Sequence, residues 1–168
     1  MDGSARLWKL DGPTSFKMLI CHQVLLVKNQ QAKKTGVTAV QFRRDGRELA
    51  VGTQCGSLQV FSLSQNSSKA SHRPTRSASE AHGGAIYGLQ YSQDGRYLVS
   101  RSGVDEVAKI WKAATIRQGP LVVCEGLPSV FERAIAAFSP DGSFLVAGSA
   151  TRGERNTSSS GLHIFKLD

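Results

Sequence analysis

The feature that most constrains the fold is a unit that occurs three times: an apolar segment, a turn ending in Asp-Gly, and a second apolar segment. The copies are VTAVQFRRDGRELAVGT (37–53), AIYGLQYSQDGRYLVSRS (85–102) and AIAAFSPDGSFLVAGSA (134–150). Asp-Gly between two strand-like segments indicates a β-hairpin, because glycine adopts positive φ without steric cost. Helical periodicity is weak throughout, so the sequence predicts an all-β chain.

Each hairpin is followed by a third predicted strand with an aromatic residue near its end, and the chain also opens with such a strand. The aromatic residues lie 53, 50 and 54 residues apart and are Trp8, Phe61, Trp111 and Phe165. Four-stranded units at about this spacing are typical of β-propeller blades. Candidate outer strands lie within residues 16–27, 69–82 and 119–125.

The repeat divides residues 1–168 into four predicted units. They are the end of one blade (1–28), a blade (33–63) followed by a flexible Ser-rich insertion (64–80), a blade (82–125), and a blade without its outer strand (131–168). These units amount to about three to three and a half blades, whereas a closed ring has typically four to eight. We therefore expect an incomplete propeller with exposed edges, poorly stable as a monomer unless a longer chain or a second copy completes it.

Composition and charge narrow the class of function. The chain is 40% hydrophobic, which suffices for a folded core. It has no run of about 18 apolar residues and no apolar signal core at its N-terminus, so we expect neither a membrane span nor secretion. Residues 1–84 have 12 Lys/Arg and 5 Asp/Glu, whereas residues 85–168 have 9 and 8. The basic half favours an anionic partner, either an acidic protein segment or nucleic acid.

The sequence shows no metal or cofactor motif. Its three cysteines, Cys21, Cys55 and Cys124, are widely spaced, which is typical of reduced thiols in a cytosolic or nuclear protein. No Cys/His spacing matches a zinc site, and no Gly-rich phosphate loop is present. We expect no metal, no cofactor and no small-molecule substrate.

Basic residues form the candidate partner-binding site. Most cluster in the sequence around the first complete hairpin, and the full set is Lys33, Lys34, Arg43, Arg44, Arg47 and Arg101. Two interpretations stay open: the cluster lines one rim of the propeller and binds an acidic peptide or phosphates, or it consists of solvated turn residues.

Several short motifs resemble WD repeats. They are Asp-Gly-Ser-x-x-x-Trp at residues 2–8, the x-x-Asp-Gly hairpins, and a His-Gly at residues 82–83. The resemblance implies a WD-repeat β-propeller in which each blade has three inner strands before the aromatic residue and an outer strand after it.

The same resemblance offers a structural role for a set of residues that otherwise suggests a hydrolase triad. Ser100, His82 and Asp105 are the residue types of a triad, and Asp105 lies six residues before Trp111. In a WD blade, Asp105 accepts from the imidazole, the imidazole bonds Ser100, and Ser100 accepts from the indole N–H of Trp111. No Gly-x-Ser-x-Gly turn and no oxyanion loop accompany them. We therefore predict a structural hydrogen-bond network and not an enzyme.

Other features depart from a generic repeat. They are Arg101 after Ser100, Gly126-Leu127-Pro128 before Phe131, an insertion with Arg152-Gly153 and Ser160-Gly161, and Lys33-Lys34 before the first complete hairpin. In their order and spacing they resemble the WD repeat-containing protein 70, or gastrulation-defective, family. The similarity covers nearly the whole chain.

This resemblance implies a nuclear, non-enzymatic scaffold for protein–protein interactions. The family is linked with the DNA damage response through a cullin-RING ubiquitin ligase and with spliceosome-associated assemblies. We expect a nuclear or cytoplasmic location and partners that are proteins of a nuclear complex. The alternative is direct nucleic-acid binding by the basic N-terminal half. Where ligase-receptor WD proteins carry Trp-Asp-x-Arg, this sequence reads Trp111-Lys112-Ala113-Ala114.

Overall fold

The structure, a computed structural model, describes residues 3–13, 17–63, 73–129, 135–152 and 158–167. Within them the chain forms strands and one 3-10 helix, Ala113–Gln118. The strands are β1 (Ser4–Asp11), β2 (Met18–Leu26), β3 (Val37–Phe42), β4 (Glu48–Thr53), β5 (Leu58–Ser62), β6 (Arg76–Ala78), β7 (Ile86–Tyr91), β8 (Tyr97–Ser102), β9 (Ala108–Lys112), β10 (Val122–Cys124), β11 (Ala136–Phe138), β12 (Phe144–Arg152) and β13 (Ser158–Lys166).

The strands form four antiparallel sheets, each made of strands that follow one another in the sequence. Sheet 1 is β1–β2, sheet 2 is β3–β4–β5–β6, sheet 3 is β7–β8–β9–β10, and sheet 4 is β11–β12–β13. Sheets 2 and 3 are complete four-stranded blades. In the described residues sheet 1 has one hairpin and sheet 4 has three strands, so the predicted incomplete propeller is confirmed.

The Asp-Gly hairpins share one conformation. Their glycines, Gly46, Gly95 and Gly142, have φ of +69°, +71° and +77°. In each hairpin the preceding aspartate accepts a hydrogen bond from the backbone N–H two residues further on. Because side chains other than glycine are strained in this left-handed region, the repeated Asp-Gly pair fixes the turn that joins the first two strands of each blade.

The core consists of apolar layers between neighbouring sheets. Leu49, Val51 and Phe61 of sheet 2 pack against sheet 1, while Leu58 and Val60 of the same sheet pack against sheet 3. A third layer joins sheets 3 and 4 and includes Val99, Ile110, Leu127, Phe138 and Leu145. Sheets 2 and 3 are thus covered on both faces, which explains why β4 is buried along its whole length.

The two outermost faces of the stack are open. Leu162 and Ile164 of sheet 4 are 70% and 63% exposed. Their counterparts in sheet 3, Ala108 and Ile110, are buried because sheet 4 covers them. At the other end Trp8 of sheet 1 is 55% exposed, whereas its counterpart Trp111 is buried against sheet 2. Each open face therefore has the apolar character of a surface that meets another blade.

β6 (Arg76–Ala78) confirms the outer strand predicted within residues 69–82, so the flexible insertion predicted over residues 64–80 is wrong at its C-terminal end. β6 pairs with β5 through Leu58↔Ala78, Gln59↔Ser77 and Val60↔Arg76, and so completes sheet 2. A three-residue strand of small and charged residues lacks the hydrophobic alternation by which strands are recognised in a sequence. Residues 64–72 lie outside the described residues.

Candidate functional site

His82, Ser100, Asp105 and Trp111 form one hydrogen-bonded network in sheet 3. Nδ1 of His82 lies 2.8 Å from Oδ2 of Asp105, and its Nε2 lies 2.7 Å from Oγ of Ser100. Nε1 of Trp111 donates to the same Oγ at 2.7 Å. The structure therefore brings together the four residues that were predicted to act as a network.

Different elements position the four side chains. Ser100 lies in β8 and Trp111 in β9, while Asp105 lies in the loop between these strands and His82 in the loop that precedes β7. The register Leu98↔Trp111 places the indole diagonally across from Ser100 on one face of the sheet. The network thus ties two loops to the two central strands of the blade.

The loop that carries His82 also packs against the turn between β4 and β5. The backbone N–H of His82 donates to the carbonyl of Gly56 at 3.0 Å. Gly56 has φ of +77°, and a Cβ at this position would collide with the carbonyl oxygen of His82. Gly56 is therefore required for this close approach of sheet 2 to the network in sheet 3.

The imidazole of His82 is held in its neutral form. The residue is 4% exposed, and this burial lowers the pKa of His82 below its ordinary value, against the opposing effect of Asp105. With its proton on Nδ1, the ring donates to Asp105 and accepts at Nε2 from the Ser100 hydroxyl. The Ser100 oxygen accepts in turn from Trp111, so the hydroxyl is engaged both as donor and as acceptor.

This geometry suits a structural role better than catalysis. Ser100 is 0% exposed, so a substrate does not reach its hydroxyl. A serine nucleophile in acyl transfer must contact the substrate carbonyl and lie near donors that stabilise an oxyanion. Burial of the Ser100 hydroxyl with both its donor and its acceptor functions engaged is instead what allows a polar side chain to stabilise a core.

Arg101, which was predicted to contact a partner, is 0% exposed. Its guanidinium donates to the carbonyl oxygens of Leu127 at 2.8 Å, Ile135 at 3.1 Å and Gly148. Burial lowers the pKa of Arg101, but a guanidinium still remains charged at neutral pH. The prediction is wrong because β8 is covered on both faces, so the residue after Ser100 points into the interface with sheet 4 and links the two sheets.

The other five basic residues do not lie on one rim. Lys33 and Lys34 precede β3, at the upper rim, which we define as the edge where β3, β7 and β11 begin. Arg43, Arg44 and Arg47 lie in the hairpin after β3, at the lower rim, where these strands end. A six-residue strand separates the two groups by about 20 Å. Of the two interpretations of this cluster, the one in which it lines a single rim is therefore wrong.

Sheet 2 has a different polar cluster where sheet 3 has Asp105, and sequence reasoning missed it. Oγ1 of Thr53 lies 2.8 Å from Oγ of Ser57 and 3.3 Å from Sγ of Cys55, to which Thr35 also donates at 3.4 Å. Burial acts to raise the pKa of the Cys55 thiol, but these hydrogen bonds outweigh it, and the pKa is lowered. The signal was the Cys55 that replaces aspartate in the repeat.

Two features are absent from the described part of the chain: a cluster of metal ligands and a helix that could span a membrane. No three His, Cys, Asp or Glu residues there are grouped as metal ligands. Nor do the described residues include a helix with the length and apolar character needed to cross a bilayer.

A family model described as "WD domain, G-beta repeat" matches residues 74–112. This segment runs from β6 to the end of β9 and contains all four residues of the network. Residues 74–112 are therefore a WD40 repeat. The match places the Ser, His and Asp set within one WD40 repeat together with the tryptophan.

Similarity to two WD-repeat relatives extends over most of the chain. It is 28% identical over 153 residues to WD repeat-containing protein 70 of Xenopus tropicalis, an alignment that covers 90% of this chain and 23% of that protein. It is 31% identical over 150 residues to the gastrulation defective protein 1 homolog of Drosophila melanogaster, covering 88% and 21%. The predicted resemblance is confirmed, and the chain spans about a fifth of the length of these relatives.

Solved structures show the same fold. The C-terminal WD40 domain of Sif2 aligns with a TM-score of 0.65 at 15% identity, over 98% of this chain and 40% of that one. The β-propeller domain of Cps50 (Swd1) from Myceliophteria thermophila aligns with a TM-score of 0.57 at 18% identity, over 77% and 40%. The WD40 chain is thus a partial β-propeller.

Proposed function

We propose that this WD40 chain acts as a non-enzymatic scaffold that holds proteins together in a nuclear assembly. WD40 domains are typically platforms for protein–protein interaction, and they are generally non-catalytic. The observation that carries the proposal is the burial of Ser100 between His82 and Trp111. The Ser, His and Asp set is the feature of the sequence that suggests catalysis, and here it stabilises a blade. The rims and edges of the sheets are therefore the candidate functional surfaces.

The similarity to these relatives supports a proposal for the kind of assembly. Similarity to WD repeat-containing protein 70 over about nine-tenths of the chain supports a place in the same class of nuclear complex. We assign the scaffold to the DNA damage response through a ubiquitin ligase, or to spliceosome-associated assemblies. The sequence Trp111-Lys112-Ala113-Ala114 favours a contact with such a complex that does not use a Trp-Asp-x-Arg motif.

Affinity capture from nuclear and cytoplasmic fractions tests the proposal. The natural full-length product is tagged, captured with and without nuclease treatment, and its partners are identified by mass spectrometry. A scaffold predicts a fixed set of nuclear proteins in constant ratio to the bait after nuclease treatment. Loss of all partners on nuclease treatment would instead favour the nucleic-acid alternative, and a partner set found only in the cytoplasmic fraction would contradict the nuclear assignment.

Two matched variants test whether capture of the partners depends on the folded propeller. Trp111→Ala removes a buried indole from the core between sheets 2 and 3. This variant should no longer capture the partner proteins, because the blade no longer packs. Val104→Ser changes an exposed apolar residue in the loop after β8 and should leave the set intact. Equal capture by both variants would mean that the partners do not bind through the folded propeller.

A further inference from the structure

The lower rim has a pocket between sheets 2 and 3 in which positive charge is concentrated. The cavity has a volume of about 370 Å³. Four cationic side chains and one carboxylate line it, namely Arg43, Arg76, Arg96, Lys112 and Glu48. Arg47 and Arg117 lie on the same rim, in the hairpin after β3 and in the 3-10 helix. Two neighbouring blades contribute the cations of this concave site. Its positive charge therefore comes from both halves of the sequence.

The arginines of the pocket are held in place by neighbouring groups. Glu48 is 9% exposed and pairs through one oxygen with Arg76 at 2.5 Å and through the other with Arg43 at 3.7 Å. The side chain of Arg43 also crosses the hairpin of the next blade, where a Cβ at Gly95 would collide with it. One carboxylate thus positions two guanidinium groups, which leaves a net positive charge at the pocket.

Lys112 adds a cation that the described residues do not neutralise. It lies at the end of β9, is exposed, and has no ion-pair partner in the described part of the chain. It follows Trp111, so the same strand that carries the buried indole presents the ammonium group at the pocket. The lining also contains Tyr97 and the small residues Ala113 and Ala114.

We propose that this pocket, which we call the lower-rim pocket, binds an acidic segment of a protein partner through its Asp or Glu side chains. The inference rests on the proposed scaffold function and names one of its surfaces. Arginine forks bind carboxylates in a bidentate manner, and the pre-positioned Arg43 and Arg76 need little ordering to do so. Lys112 supplies the second point of charge.

Acidic peptide fits this pocket better than nucleic acid because carboxylates interrupt its positive surface. Arg43 and Arg96 line the pocket, and each has an aspartate beside it: Asp45 lies 3.7 Å from Arg43, and Asp94 pairs with Arg96. Duplex DNA carries about one charge per 1.7 Å of its axis, so its backbone would face these carboxylates as well as the arginines. A peptide with separated acidic side chains places its charges only where the cations are.

Titration of a labelled peptide into the purified full-length natural protein tests the proposal. The probe is a twelve-residue Gly/Ser/Glu peptide, with a Gln-for-Glu peptide, a phosphoserine peptide and a short DNA duplex as further probes. We expect saturable binding of the Glu peptide and none of the Gln peptide. Lys112→Glu should raise the Kd about tenfold or more, which corresponds to about 1.4 kcal/mol. Lys34→Glu makes the same change of net charge on the upper rim and should leave the Kd within about twofold.

Three outcomes would overturn the proposal. Equal weakening by Lys112→Glu and Lys34→Glu would show non-specific attraction. Binding of the phosphoserine peptide or of the duplex without binding of the Glu peptide would assign the surface to phosphates. Unchanged binding in Lys112→Glu and in Arg43→Gln, each with an unaltered circular dichroism spectrum, would place the peptide elsewhere. If nuclear capture is intact but the Glu peptide does not bind the unsubstituted protein, the pocket proposal fails and the scaffold proposal stands.

Discussion

Trp111 donates its indole proton to the Ser100 hydroxyl at 2.7 Å, inside the third sheet. In a hydrolase, the oxygen of the serine must stay available to a substrate. Here the same oxygen accepts from a buried indole, and its proton is directed to a neutral imidazole. The arrangement of Asp, His and Ser therefore has a different consequence when the fourth member is a core tryptophan: it joins loops to strands and does not activate a nucleophile.

Arg101 provides the first prediction, on stability. Arg101→Ala should lower the free energy of unfolding by on the order of 3 kcal/mol, because several buried carbonyls lose a charged donor. Arg101→Lys should recover only part of this, since one ammonium does not reproduce the guanidinium fork. Urea unfolding followed by circular dichroism measures both, with the exposed Arg47→Ala as control. A loss within about 0.5 kcal/mol, as for a typical surface substitution, would contradict the role given to Arg101.

The second prediction concerns pH. The folded pKa of His82 is below its ordinary value of about 6.5, which the unfolded chain retains. Between these two values the unfolded chain binds more protons than the folded one, so the free energy of unfolding should fall as the pH drops below about 6.5 and be level above about 7. Urea midpoints from pH 7.5 to pH 5 measure this slope. His82→Gln should be less stable at pH 7.5 and show a flatter profile, whereas a midpoint that rises toward pH 5 would contradict the neutral imidazole.

A further loss of stability is expected at lower pH. Hydrogen bonds from Ser92 and from Ser139 lower the pKa of Asp94 and of Asp141, each to about 2. These carboxylates stabilise the fold above their ordinary pKa, and their contribution is lost as the pH falls through the folded value. Asp141→Asn should remove part of the decline between about pH 4 and pH 2. The same acid profile in the variant and in the parent chain would show that the hairpin carboxylate has no such role.

The open face of sheet 4 leads to a prediction about association. Leu162 and Ile164 are exposed at positions that are buried in the equivalent strands of sheets 2 and 3. The 168-residue chain should therefore self-associate at micromolar concentration, and Ile164→Lys should reduce this, because a charge on the face opposes burial. Light scattering after size-exclusion chromatography measures the mass, with Val104→Lys as an exposed control away from this face. A monodisperse 18 kDa species with a sharp, reversible melt would contradict this prediction.

Much of the fold could be predicted from local features of the sequence. The Asp-Gly turns at Gly46, Gly95 and Gly142 mark the hairpins because only a few residue types tolerate their backbone geometry. The recurring aromatic positions mark the third strand of each blade. The network around Ser100 could be anticipated because its members stand at the intervals of a WD repeat.

Other features could not be read from the sequence because they depend on which face of a strand is covered. Arg101 looks like a surface cation until β8 is seen to be buried on both sides. Lys33 and Arg43 are close in the sequence, yet a strand carries them to opposite rims. The lower-rim pocket is lined by Arg43 from the hairpin after β3, Arg76 from β6 and Lys112 from β9. Its composition depends on how neighbouring blades pack.

The most direct test of the structural role of the network is a double-mutant cycle of Ser100→Ala and Trp111→Phe. The free energy of unfolding of the parent, both single variants and the double variant is measured in urea at pH 7.5. A shared hydrogen bond in the core predicts a coupling energy of about 0.5 kcal/mol or more. Additive effects of the two substitutions, together with hydrolysis of an activated ester that disappears with Ser100, would contradict the account.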